Sequence, residues 1–215
     1  MNKRLLNLLG LTGVVALVSY AAAVMFAPLA YPGYDSLSQA VSDLSAEDAP
    51  SRRLWTQLAA LYDICSVVCA TCAAVFVSQE KCGTRLLRLG VYLFAVMSWT
   101  SAVGYKMFPL TDSGKEIRGF DEVMHIAVTA AVVLLSIASL VLFIIAGFRK
   151  GGVKSLGCWA AAALGMMFVG TIGQSVVPKD YFGVPERFSV FAAVGFNAVL
   201  GLYIFRGKRL AEKGE

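Results

Sequence analysis

Six long apolar segments, Leu5–Ala30, Leu54–Ser78, Leu86–Tyr105, Val123–Phe148, Val153–Val177 and Phe188–Phe205, leave this chain few folds to choose from. Each reaches or approaches the ~20 residues that a helix needs to cross the hydrocarbon core of a bilayer. Only helices and closed barrels satisfy their backbone groups inside lipid. Continuous apolar runs, rather than short alternating strands, select helices. The expected fold is therefore all-α, a polytopic membrane bundle of six transmembrane helices. The longest connection, Tyr31–Arg53, is too short for a second folded unit, so residues 1–215 form a single transmembrane domain.

Charge orients the bundle. With the N-terminus inside, twelve of the 19 Lys and Arg residues fall at the inner ends, whereas eleven of the 14 acidic residues fall at the outer ends. The positive-inside rule then places both termini in the cytoplasm and the chain in the cell membrane. The formal charge of +5 is accordingly a topology and lipid-headgroup signal, not a nucleic-acid one. Lys3 and Arg4 before an apolar run resemble a signal peptide. The run is longer than an h-region, so the first helix is read as uncleaved.

The outer connections are rich in Pro, Gly, Tyr and acidic residues. In the first, Tyr31-Pro32-Gly33-Tyr34 signals a turn. Leu37, Val41 and Leu44 then recur at helical spacing, which predicts a short amphipathic helix on the outer surface. The second outer connection carries Phe108-Pro109 and an Asp112-Ser113-Gly114 turn, and the third is tight.

With Ser36 and Ser38 after the first turn motif, Phe108-Pro109, His125 and Gly183-Val184-Pro185-Glu186-Arg187, the chain resembles a bacterial and archaeal membrane family. That family is the six-helix one labelled domain of unknown function 998. The resemblance covers nearly the whole chain and implies the six-helix fold and its topology. It implies no mechanism.

Ionisable groups within an apolar layer are costly and therefore informative. Asp63 lies below the outer edge of the second helix, on a small or polar face with Thr56, Ala59, Ser66, Ala70 and Ala74. His125, the only histidine, starts a stripe with Thr129, Val132, Ser136 and Ser139. Asp63 and His125 are the candidate acid–base residues. Either could equally be a structural hydrogen-bonding group. Glu186 and Arg187 open the sixth helix, and Arg187 offers a fork suited to a carboxylate or a phosphate. An internal partner for Arg187 would be Asp63, Asp121 or Asp180. Gln174, Tyr105, Lys106 and Asp121 complete the candidate binding residues at the outer helix ends.

Cys65, Cys69 and Cys72 share a stripe but lack the paired spacing of closed zinc sites, and packing is their expected role. No metal, haem or other cofactor is expected, and none of the five cysteines sits in an outer loop suited to a disulfide.

Three functions remain open. The favoured one is an outward-facing polar pocket that binds or processes a lipid or small amphiphile. Alternatives are a small-solute or proton-coupled transporter, and a structural or regulatory protein whose outer loops engage a partner.

Overall fold

The computed structural model describes residues 3–79, 84–111 and 119–207. The expected Asp112-Ser113-Gly114 turn lies outside these segments, as do Cys82, Glu80, Lys81, Lys115, Arg118, Lys208, Arg209, Glu212, Lys213 and Glu215. Among the described residues, six helices are long and apolar enough to cross a membrane.

The first is broken into α1 (Lys3–Leu9) and α2 (Thr12–Phe26), followed by a 3-10 turn at Ala27–Ala30. The break falls at Gly10, where a Cβ would come within 2.5 Å of the Gly201 carbonyl oxygen. The remaining helices are α3 (Arg52–Leu58), α4 (Ala60–Gln79), α5 (Arg85–Met107), α6 (Phe120–Phe148), α7 (Lys154–Val176) and α8 (Gly183–Phe205). Thr84 caps α5 by accepting a bond from the Leu87 amide at 3.2 Å. Pro185 sits inside the first turn of α8, where a missing N–H costs no helical bond, so this helix starts ahead of the expected Phe188.

The helices pack as a ring in chain order, with α8 closing onto α2 and also touching α4. The core on the side of the chain termini is an aromatic lock. Phe94 of α5, Phe143 of α6 and Phe196 of α8 meet edge to face, with ring centroids 5.0 to 6.5 Å apart. Asn7 approaches Gly207, so the described chain begins and finishes at one end of the bundle. That end is called the terminus end below, and the opposite one, which carries residues 31–51, the loop end.

The second apolar segment does not form the single helix that its hydropathy suggests; it breaks at Ala59. The cause lies on another helix. The buried Ser19 hydroxyl of α2 donates to the Leu58 carbonyl at 2.6 Å. The Tyr62 amide, which a continuous helix would pair with that carbonyl, bonds Ala59 O instead.

The first long connection also departs from expectation. Rather than an α-helix over Asp35–Leu44, it forms a turn followed by a 3-10 helix at Ser42–Ser45. Its backbone groups are engaged elsewhere. The Leu37 carbonyl accepts from the Gly183 amide at 2.7 Å, and the Val41 amide donates to Glu186 at 2.9 Å. The Ala40 amide donates to Asp43 at 3.1 Å. With those groups committed, the i to i−4 ladder cannot form. Val41 and Leu44 are buried as the spacing requires, but Leu37 is exposed.

Candidate functional site

The loop end holds two polar assemblies. The first is a clasp between α8 and residues 34–43. Arg187 Nη1 donates to the carbonyls of Ser36 (2.7 Å), Gln39 (3.2 Å) and Gly183 (2.7 Å), and Nη2 donates to the Tyr34 hydroxyl at 2.8 Å. That hydroxyl in turn donates to the Ala40 carbonyl at 2.8 Å. Burial pushes the Tyr34 phenol up to about 12, against the pull of the Arg187 guanidinium. Asp35 caps the turn by accepting from the Leu37 amide (3.0 Å) and the Ser38 hydroxyl (2.8 Å). The same two bonds hold its carboxyl below the ordinary value.

The clasp also sets the sequence. A Cβ on Gly183 would lie 2.3 Å from Gln39 O and 2.7 Å from Ser36 O, so a side chain there would lift the loop. The sequence expectation that Arg187 pairs with Asp63, Asp121 or Asp180 is corrected. Its position in the first turn of α8 sets it under the 34–39 turn, and carbonyls and one phenol take its donors. Arg187 and Glu186 thus bind the protein's own backbone.

Beneath the clasp, Tyr20 of α2 packs its ring against Trp55, Tyr62 and Phe191, with centroids 4.7 to 5.8 Å apart. This aromatic seam joins α2, α3, α4 and α8. Spacing alone did not single out Tyr20, because it reads as one more residue of an apolar helix.

The second assembly lies along the ends of α4, α5 and α6. Here two successive α5 residues reach opposite neighbours. Lys106 Nζ is 2.9 Å from Asp63 Oδ2 on α4, with the two side chains 65% and 31% exposed. Tyr105 stacks at 5.0 Å on the His125 ring of α6 and donates to the Thr129 hydroxyl at 3.2 Å. Thr129 donates to the His125 carbonyl at 2.9 Å. His125 Nδ1 lies 2.9 Å from the Phe108 carbonyl. A carbonyl can only accept, so Nδ1 carries the proton, and in the neutral imidazole Nε2 is the acceptor. Nε2 makes no hydrogen bond among the described residues. Thr111 donates to Glu122, fastening the preceding connection to α6.

The structure therefore gathers Asp63, Lys106, Tyr105 and His125 on one rim and places Glu186 and Arg187 in the clasp. Asp121 is exposed in the first turn of α6. Gln174 lies on α7, outside the rim formed by α4, α5 and α6.

Midway down, Asn197 donates to the Ser66 hydroxyl at 3.1 Å, and the buried Cys69 thiol lies 3.5 Å from the Asn197 carbonyl. Cys72 and Phe76 of α4 are also buried, and of the expected Asp63 face Ala70 is buried while Asp63, Ser66 and Ala74 are half-buried. Ser139 bonds the Gly90 carbonyl at 2.8 Å, so the lower His125 stripe serves helix packing. Among the described residues no group of three or more His, Cys, Asp or Glu side chains could hold a metal ion.

Residues 14–203 match the family model for a protein of unknown function, DUF998. No curated protein and no solved structure matches the chain. A multi-pass bundle that keeps its 34–39 turn, Phe108, His125 and Gly183–Arg187 in two contact networks is thus assigned by its sequence as well: the chain belongs to the DUF998 family.

Proposed function

We propose that this multi-pass membrane protein binds the polar headgroup of a lipid or small amphiphile at the rim formed by α4, α5 and α6. The rim faces the outer leaflet when both termini are cytoplasmic, the orientation that the distribution of basic residues favours. The observation that carries the reading is the Lys106–Asp63 pair, which lies on the surface of the bundle rather than inside it. Charges at the perimeter of a membrane helix belong at headgroup depth, where they can exchange partners. A phosphate or carboxylate would engage Lys106, and a hydroxyl or ammonium would engage Asp63. His125 Nε2 offers a neighbouring acceptor. Its Nδ1–H bond to Phe108 holds the ring in place, as an acid–base role would also require.

Transport is less well supported. The Phe94–Phe143–Phe196 lock fills the core below the rim, and mid-bundle Asn197 donates to the Ser66 hydroxyl. Partner docking through the first connection has less support too, because much of its polar backbone is turned inward onto α8.

Native mass spectrometry of gently solubilised protein tests the proposal. Wild-type protein should retain a lipid or amphiphile that Asp63→Asn, Lys106→Gln and His125→Ala each lose in part, with melting temperature preserved. Equal retention by all three variants would end it.

A further inference from the structure

At the terminus end a groove of about 220 Å³ opens between α7 and α8, lined by Trp159, Val199, Leu202, Tyr203 and Arg206. Its geometry follows from helical spacing. Val199, Leu202 and Tyr203 form one stripe of α8 that the C-capping Arg206 continues, and Trp159 lies one turn along α7 from Ser155. The Tyr203 hydroxyl donates to the Ser155 hydroxyl at 2.5 Å and ties the two stripes together. One wall is apolar, with Trp159 55% exposed. Arg206, one turn beyond Tyr203, puts a cation in the lining, and the exposed Lys154 adjoins Ser155 in the chain. Arg149 and Lys150, both exposed, precede the same turn.

We infer that this groove seats an anionic phospholipid, with an acyl chain against Trp159, Val199 and Leu202 and its phosphate on Arg206 and Lys154. An apolar trough that ends at a cation matches the amphiphilic profile of a lipid, and a Trp–Tyr pair at the boundary suits interfacial depth. Basic pockets between helices are a recurring way to hold acidic headgroups. A second groove between α4 and α5, of about 380 Å³ and lined by Thr71, Ala74, Val75, Ser78, Gln79 and Tyr92, has no charged lining residue among the described residues. It is an internal contrast without the headgroup contact. The inference does not depend on the loop-end rim.

The test is binding of phosphatidylglycerol in nanodiscs of equimolar phosphatidylglycerol and phosphatidylcholine, read by native mass spectrometry. Arg206→Gln should hold phosphatidylglycerol about fivefold more weakly, with phosphatidylcholine unchanged, and adding Lys154→Gln should weaken it further. Arg206→Lys should keep most of the binding, which separates lost charge from a damaged helix end. Lys106→Gln at the loop end should leave this site unchanged, so the two readings fail independently. Inorganic phosphate should not displace the lipid. Wild-type affinity in Arg206→Gln would overturn the inference. Equal affinity for phosphatidylcholine, or displacement by phosphate alone, would do the same.

Discussion

The clasp and the rim occupy the same end of the bundle and use similar residues, yet they differ in what is left over. In the clasp, an arginine, a glutamate and a tyrosine all bond the protein's own loop. In the rim, a lysine and an aspartate pair with each other, a histidine ring bonds Phe108 and packs on Tyr105, and all three stay partly open. Residue type alone does not separate architecture from chemistry. The number of donors and acceptors already committed does.

That contrast can be broken most sharply at Arg187. Arg187→Ala strips partners from the Ser36 and Gln39 carbonyls and the Tyr34 hydroxyl, and should cost about 3 kcal/mol in a reversible denaturation assay. Gly183→Ala drives a methyl against two backbone oxygens and should cost about 2 kcal/mol, with faster proteolysis inside residues 31–51. Lys106→Gln and Asp63→Asn should each cost less than about 1 kcal/mol, because an exposed ion pair adds little stability. Rim variants as destabilising as clasp variants would erase the distinction.

Alkaline pH sharpens it further. The Tyr34 phenol titrates higher in the fold, about 12 against 10.0, so the folded protein binds its proton more tightly than the unfolded chain does. The resulting stability is complete below pH 10 and is lost as pH rises toward 12. A melting-temperature profile should fall through that window in the wild type. It should flatten in Tyr34→Phe, and the rim variants should follow the wild-type curve.

The spans and the separation of basic from acidic ends were legible because bilayer thickness and helical period act on each segment by itself. Ser136 and Ser139 were placed on one stripe with His125 by spacing, and both are buried. What was not legible depends on a distant partner. The break at Ala59 is caused by Ser19, in a different helix. The 35–44 segment has helical spacing but yields its backbone groups to Gly183 and Glu186. Lys106 pairs with Asp63 because α4 and α5 end side by side, and Arg187 is captured by the loop first. The candidate residues all lie at the loop end of their helices. Their division into two assemblies needed the fold.

Hydrogen exchange at the amides of residues 37–44, compared between Arg187→Ala and Lys106→Gln, tests that division most directly. Local opening sets the exchange rate of a loop held by few bonds. The account predicts much faster exchange in Arg187→Ala and wild-type exchange in Lys106→Gln. Unchanged protection in Arg187→Ala, or equal loss in both variants, would contradict it.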